Sequence, residues 1–198
     1  MITVLSSPKP GTGTTTTAAL VALAVRQTTR SHAHVVDLCG DQPAVLGITT
    51  RPGATTDVAE ELTLHELAAA TIDEQLAAIC RLAQTGEHVI VDAGSATHPI
   101  HDRLPAGAVR CWALRPCYLA LRKAATLTVR PDHVVMLDEI GRALTATDIE
   151  TVTGAPVVAT IDIHPQIARA IDAGLLTARP PHAAMTALAA LAQRTQAA

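Results

Sequence analysis

A glycine- and threonine-rich segment near the start of the chain has the composition of an anion-binding loop. Residues 6–17 read SSPKPGTGTTTT; the apolar residues 2–5 precede them, and the alanine-rich run 18–25 follows. This order predicts a strand, a flexible turn and a helix. Glycines let the backbone approach an anion, and the N–H groups and dipole of the helix N-terminus hold it. The chemistry expected here is therefore phosphate binding.

The loop lacks the lysine that such loops normally carry. In a P-loop, G-x-x-x-x-G-K-[ST], a lysine follows the last glycine, whereas Thr14 follows Gly13 here. Lys9 precedes the glycines, and it is one of only two lysines in a chain with thirteen arginines. The position of Lys9 within this loop therefore marks it as a candidate functional residue.

The phosphate loop (residues 9–16, KPGTGTTT) resembles the deviant P-loop of ParA/MinD-type ATPases, K-G-G-x-G-K-[ST]-T. The resemblance implies that Lys9 is the signature lysine, which reaches across a dimer to the partner's nucleotide. It aligns Thr14 with the missing second lysine and Thr15 with the hydroxyl that ligates magnesium. Pro10 replaces a glycine and removes one backbone donor. The CpaE/TadZ-like branch, which often lacks the second lysine too, is the nearest match.

Three further segments match this family in the same order. HVVDLCGDQP (residues 34–43) resembles the strand that ends in D-x-D, with Asp37 as the first aspartate and Cys39 in place of the second. HVIVDAGS (residues 88–95) resembles the Walker B strand and places Asp92 near magnesium. VVMLDEIGR (residues 134–142) resembles the strand whose end contacts the base, with Asp138 and Glu139 in place of Asn-Arg.

The resemblance implies a site for ATP or ADP with Mg²⁺. The residues implied to bind the nucleotide are Lys9, Pro10, Gly11, Thr12, Gly13, Thr14, Thr15, Thr16 and Asp138. Thr15, Asp37 and Asp92 are the implied metal residues, and Lys9, Asp37 and Asp41 the implied catalytic ones. Asp41 is included among the catalytic residues because it follows Cys39 by two residues and could replace the aspartate that orients water. The replacements at Thr14 and Cys39 predict slow hydrolysis at most, since each removes a group that stabilises phosphoryl transfer.

Short apolar runs alternate with helical segments along the chain, which predicts a parallel sheet with helices on both faces. The predicted strands are residues 2–5, 34–37, 88–92, 109–114, 133–137 and 156–160. The predicted helices are residues 14–29, 63–69, 73–85, 117–126, 145–152, 165–173 and 183–194. Residues 44–61 are expected to form a mobile loop. The fold class is thus α/β, one P-loop NTPase-like domain over residues 1–198, with ligands at the carboxyl ends of strands.

Composition limits the class of protein. The chain is 48% hydrophobic and 17% charged, which excludes a disordered chain. The formal net charge of −3 gives no global attraction to nucleic acid or to an anionic membrane. The four cysteines show no metal-ligand spacing, and in the absence of a leader they indicate a reduced, cytoplasmic protein. No basic amphipathic terminal helix is evident, so direct membrane contact is not expected.

The predicted function is positional. A nucleotide-dependent homodimer would place a larger protein assembly, such as pilus, secretion or positioning machinery. Two alternatives remain open: a plasmid or phage partition ATPase that binds DNA, and a scaffold that binds no nucleotide. A basic cluster made of Arg115, Arg122 and Lys123 with Tyr118 is either a solvated face or a surface for DNA or a partner protein.

Overall fold

The chain begins with a buried strand that runs directly into the glycine-rich turn and a long helix. In the computed structural model, which describes residues 1–194, these are β1 (Ile2–Ser7) and α1 (Thr14–Thr29). The other strands are β2 (Ala33–Asp37), β3 (Thr55–Ala59), β4 (Leu62–Glu66), β5 (His88–Ser95), β6 (Val109–Leu114), β7 (His133–Asp138) and β8 (Val157–Asp162). The other helices are α2 (Gln42–Leu46), α3 (Ile72–Ala83), α4 (Tyr118–Thr126), α5 (Ala146–Thr153), α6 (Pro165–Asp172) and α7 (His182–Arg194).

The strands form one sheet in the order β3-β4-β2-β5-β1-β6-β7-β8. Every neighbouring pair is parallel except β3 and β4, which are antiparallel. β1 lies between β5 and β6 inside the sheet, so the loop that follows it emerges over the centre of the carboxyl edge. The predicted α/β fold with a mostly parallel sheet is confirmed.

Helices cover both faces of the sheet, as predicted. On one face, Leu5, Ile90 and Val135 pack with α1 and α7; on the other, Val91 packs with α3, and Trp112 packs with α4 and α5. Residues 17–25 of α1 are all buried because α1 packs against the sheet and also against the helices α2 and α7. This enclosure explains the alanine-rich sequence of α1 and its weak amphipathic pattern. Within residues 1–194, no helix has both the length and the hydropathy of a membrane span.

Two sequence predictions were wrong, both near the β3 edge. The predicted helix 63–69 is mostly strand β4, in which Leu62 and Leu64 alternate with Thr63 and His65. This two-residue period is that of a strand, and pairing with β2 on one side and β3 on the other fixes it. The predicted loop 44–61 contains the end of α2 and strand β3. The remaining predicted strands and helices are confirmed with bounds that differ by three residues or fewer.

A chain of hydrogen bonds links three strands on the sheet face opposite α1. His34 Nε2 lies 2.7 Å from a carboxylate oxygen of Glu87, and His34 Nδ1 lies 3.1 Å from His65 Nε2. His65 Nδ1 lies 3.1 Å from the hydroxyl of Thr55. Burial, and then the nearby His34 and His32, lower the pKa of His65 to about 4. His65 is therefore neutral in the folded protein at ordinary pH.

We expect the free energy of unfolding to decrease as the pH falls from about 6.5 to about 4. The pKa of His65 is lowered from 6.5 to about 4, and burial lowers the pKa of His101 to about 4 as well. The unfolded chain therefore binds more protons in this window, so acid favours unfolding. Thermal unfolding at stepped pH would show a Tm drop on the order of 5 °C across it. His65→Gln reduces the drop, whereas His182→Gln, at an exposed site, leaves it unchanged; equal slopes for the two variants would contradict this assignment.

Candidate nucleotide-binding site

The predicted site residues converge because the strands that precede them are neighbours. Asp37, the last residue of β2, lies opposite Asp92 of β5, and Asp92 lies opposite Leu5 of β1. The phosphate loop follows β1 at the same edge. Parallel strands bring their carboxyl ends to one edge, where open α/β sheets bind ligands. The loop and the two aspartates are thus brought together, as the sequence predicts.

The phosphate loop is an open turn that leaves the start of α1 uncapped. Gly11 and Gly13 have φ angles of 74° and 96°, in the left-handed region that favours glycine. The Thr12 hydroxyl donates to the Ser7 hydroxyl at 2.7 Å and to the Lys9 carbonyl at 3.1 Å, which braces the turn from inside. No side chain caps α1. The N–H groups of its first turn are consequently available to an anion.

A cavity of about 310 Å³ lies between the phosphate loop and the ends of β2 and β5. Its lining comprises Pro10, Gly11, Gly13, Thr14, Thr15, Thr16, Cys39, Asp41, Gly94 and Ser95. Six of these ten residues come from the phosphate loop, so backbone N–H groups and threonine hydroxyls dominate one wall. This phosphate cavity has donors for an anion, but no lysine or arginine lines it.

Asp37 is fully buried, and both of its carboxylate oxygens accept backbone hydrogen bonds. Cys39 N and Gly40 N donate to Oδ1 at 2.9 and 2.8 Å, and Gln42 N donates to Oδ2 at 2.9 Å. This carboxylate therefore organises the turn between β2 and α2. One lone pair of Oδ2 remains for a metal ion or a metal-bound water.

Asp92 is held by a glutamine that the sequence reasoning missed. Gln42 Nε2 donates to Asp92 Oδ2 and to the Thr15 carbonyl, both at 2.9 Å, and Gly94 N donates to Asp92 Oδ1 at 3.1 Å. Burial raises the pKa of Asp92, while hydrogen bonds from Gln42 and Thr15 oppose the increase. Gln42 thus links the β2–α2 turn, α1 and β5 through one fully buried side chain.

Cys39 stands close to both aspartates, and its thiol stays protonated. Ligand atoms of Asp37, Cys39 and Asp92 all lie within 4.8 Å of one another. Burial, followed by the charges of Asp92, Asp37 and Asp41, raises the pKa of the Cys39 thiol to about 12. A Cβ at Gly94 would lie 2.5 Å from Cys39 Sγ, so a side chain at position 94 would require the Cys39 side chain to move. Although Cys39 is exposed, the raised pKa of its thiol disfavours a reactive thiolate at neutral pH.

The donor set fits a magnesium ion through oxygen atoms. Mg²⁺ prefers carboxylates, phosphate oxygens and water. Asp37 and Asp92 supply carboxylate oxygens close to each other, and the Thr15 side chain, which lines the phosphate cavity, hydrogen-bonds to Asp92. A protonated thiol is a poor ligand for so hard a cation. Two buried carboxylates repel each other, and a divalent cation between them would relieve that repulsion.

A second cavity, of about 450 Å³, lies on the other side of the phosphate loop and is mainly apolar. It shares Gly13 and Thr16 with the phosphate cavity. Its other lining residues are Thr12, Thr17, Leu20, Arg115, Leu137, Ile161, Ile163, His164, Pro165, Ile167, Ala168 and Ile171. An apolar space of this kind suits a nucleoside, and we call it the nucleoside cavity.

The remaining predicted site residues, Asp41, Lys9 and Asp138, lie at the edges of the two cavities or outside their lining. Asp41 is exposed at the start of α2 and lines the phosphate cavity. The Lys9 ammonium has no ion pair within residues 1–194. Asp138 accepts a hydrogen bond from Glu139 N at 2.9 Å; its neighbour Leu137, not Asp138 itself, lines the nucleoside cavity.

We expect Gln42→Ala to lower the free energy of unfolding by about 1–3 kcal/mol, because it removes the buried amide that donates to both Asp92 Oδ2 and the Thr15 carbonyl. Gln42→Glu is the matched variant of similar size. It adds a carboxylate beside Asp92, so millimolar Mg²⁺ will stabilise it more than it stabilises the wild type. Urea unfolding with and without Mg²⁺ measures both effects. A loss below about 0.5 kcal/mol in Gln42→Ala would contradict the linking role.

Comparisons with known proteins bear on the fold. No protein-family model and no curated protein sequence matches the chain. Among solved structures, a ParA family ATPase from Chlorobium tepidum TLS is similar with a TM-score of 0.75 and 18% identity, over 97% of this chain and 98% of that one. The MinC:MinD cell division protein complex of Aquifex aeolicus is similar with a TM-score of 0.79 and 16% identity, over 100% of this chain and 96% of that one. MinD complexed with Mg-ADP from Pyrococcus horikoshii OT3 is similar with a TM-score of 0.76 and 16% identity, over 98% of this chain and 94% of that one. The chain therefore has the fold of the ParA and MinD ATPases.

Proposed function

We propose that this protein binds ATP or ADP with Mg²⁺ and acts as a ParA/MinD-like positioning protein with degenerate catalytic motifs. One observation carries the proposal: the uncapped start of α1 lies between a polar cavity next to two buried aspartates and an apolar cavity of nucleoside size. Polyphosphate, metal and nucleoside each have a matching surface there. The P. horikoshii MinD of the same fold is complexed with Mg-ADP, which supports the choice of ligand.

The proposed roles follow from the contacts. The N–H groups of residues 11–16 would bind phosphate, and Thr15 and Asp92 would hold Mg²⁺ through their oxygen atoms. Asp37 shapes the adjoining turn, and its carboxylate lies close enough to Asp92 that it would contribute to holding the same ion. Adenine would occupy the nucleoside cavity near the end of β7, where Asp138 follows Leu137. Bound Mg²⁺ would neutralise charge on the phosphates, while the protein supplies the positions of the donors.

We further propose that nucleotide favours a homodimer, that the dimer serves a protein assembly, and that the chain is similar to the CpaE/TadZ-like branch. Support for the branch comes from the phosphate loop, in which Lys9 precedes the glycines and Thr14 takes the place of the second lysine. The A. aeolicus MinD of the same fold occurs in a complex with MinC, which supports a partner protein for this chain.

Calorimetric titration of the purified chain with ATP, ADP and GTP, each with Mg²⁺, tests the binding proposal. We expect micromolar binding of ATP and ADP and a requirement for Mg²⁺. Asp92→Asn removes the charge of the side chain but keeps its shape, and it will weaken the part of the nucleotide affinity that depends on Mg²⁺. If no nucleotide gives heat or a shift in Tm, the protein is instead a scaffold that binds no nucleotide.

A DNA-partition function is the second candidate, and one feature favours it. Residues 103–131 contain six arginines or lysines and no aspartate or glutamate, although the whole chain has a net charge of −3. Arg122 and Lys123 lie on the exposed side of α4, one helical turn from the exposed Tyr118 and Leu119. Salt-dependent DNA binding that Arg122→Ala weakens would select this candidate.

A further inference from the structure

Arg115 occupies the position beside the phosphate loop from which a cation could reach a ligand. It is the first residue after β6, and β6 lies next to β1 with Trp112 opposite Ser6. Continuing this register, Arg115 lies level with the start of the phosphate loop. It contributes to the lining of the nucleoside cavity together with Thr12, Gly13 and Thr16.

The Arg115 guanidinium forms no ion pair with the part of the chain that the structure describes. Its Nε atom is enclosed and has no hydrogen-bond partner within the described part of the chain. No carboxylate of residues 1–194 forms a salt bridge with it. Arg115 is close enough to Glu139 to contribute to lowering the pKa of that carboxyl, but Glu139 accepts hydrogen bonds from Arg142 Nε at 2.9 Å and from Arg142 Nη2.

An enclosed cationic N–H without a partner is unfavourable, because the group has lost water and gained no hydrogen bond. A ligand that brings an oxyanion to this wall would remove that cost. The guanidinium fork matches phosphate geometry, and its hydrogen bonds to phosphate are charge-assisted. The phosphate cavity itself has no lysine or arginine in its lining.

We propose that Arg115 binds a phosphate group of the nucleotide and supplies, within the same subunit, the positive charge that Thr14 does not. This inference rests on the proposed function and adds a residue to it. Because Gly13 and Thr16 line both cavities, the polyphosphate is placed over these two residues. Arg115 lines the nucleoside cavity and not the phosphate cavity, so its partner is the phosphate closest to the nucleoside.

The test compares ligands that differ by one phosphate. Affinities of adenosine, AMP, ADP and ATP with Mg²⁺ are measured for wild type, Arg115→Gln and Arg115→Lys, using ligand-observed NMR for the weak ligands and calorimetry for the tight ones. The matched control is Arg122→Gln, which removes an exposed arginine from the neighbouring helix α4. The Tm of each variant verifies folding, and Arg115→Lys provides the test if Arg115→Gln does not fold.

We expect Arg115→Gln to weaken the binding of AMP, ADP and ATP by a similar factor, about 10- to 100-fold, and to leave the affinity for adenosine unchanged. Arg115→Lys will recover part of the loss, and Arg122→Gln will bind like wild type. Equal losses for adenosine and AMP would overturn the proposal in favour of contact with the base. Unchanged AMP and ATP affinities would overturn it while leaving the proposed nucleotide binding intact. Failure of wild type to bind any nucleotide would reject both.

Discussion

The double variant Thr14→Lys with Cys39→Asp is expected to hydrolyse ATP at least 100-fold faster than the wild-type chain, whose turnover stays below ~1 per second. Thr14 lines the phosphate cavity, so a lysine there would place a cation against the phosphates. Cys39 lies within 4.8 Å of Asp37 and Asp92, so an aspartate there could orient a water molecule beside the metal. Phosphate release with Mg²⁺ and ATP measures the rates.

The single variants separate the two effects. Cys39→Asp alone adds a carboxylate to a group that already contains Asp37, Asp92 and Asp41, the same charges that raise the pKa of the Cys39 thiol. We therefore expect it to be less stable than wild type without Mg²⁺ and to gain stability when Mg²⁺ is added. Cys39→Ser, which stays neutral, is its control. Wild-type turnover above ~1 per second would show that the two replacements do not limit catalysis.

The elements at the centre of the sheet could be predicted from sequence because their signals are local. The strand, glycine turn and helix that form β1, the phosphate loop and α1 are contiguous, and the bounds of α1 agree at both ends. The convergence of Asp37 and Asp92 also followed from sequence, since each ends or lies near the end of an apolar run. Parallel strands then bring those ends together without any further information.

The β3 edge could not be predicted with the same rules. A five-residue strand such as β4 offers only two or three alternations, and Leu64 and Leu67, three residues apart, also suit a helix. The pairing of β4 with β2 decides the structure of this segment. Because β2 is distant in the sequence, this pairing is a tertiary contact that a local pattern does not reveal. β3 is an edge strand that pairs only with β4, and its residues are mostly half-buried or exposed, which weakens the apolar pattern further.

The roles of Gln42 and Arg115 depend on contacts that composition does not encode. Gln42 follows the predicted Asp41 directly, but its burial against Thr15 and Asp92 arises from the docking of α2 on α1. Arg115 was predicted as part of a basic cluster with Arg122 and Lys123. The structure separates them: Arg122 and Lys123 are exposed on α4, whereas Arg115 lines the nucleoside cavity.

We expect Lys9→Ala to bind ATP but to remain monomeric, whereas wild type dimerises with ATP and Mg²⁺. The Lys9 ammonium forms no ion pair within the described residues, and Lys9 does not line the phosphate cavity of its own subunit. Its long flexible stem and compact charge suit a phosphate that another subunit presents. A ligand that contacts both subunits stabilises the dimer by mass action. Light scattering with and without nucleotide, together with calorimetry, measures mass and affinity on the same samples.

Lys123→Ala is the matched control, because Lys123 is the other lysine of the chain and lies exposed on α4. It will dimerise like wild type. The competing arrangement is that Lys9 folds back and replaces the missing lysine within its own loop. In that case wild type stays monomeric while it binds ATP, and Lys9→Ala abolishes binding. Arg115 distinguishes the two arrangements further: if Arg115 neutralises phosphate within the subunit, Lys9→Ala retains most of its ATP affinity, and the loss appears in the dimerisation constant instead.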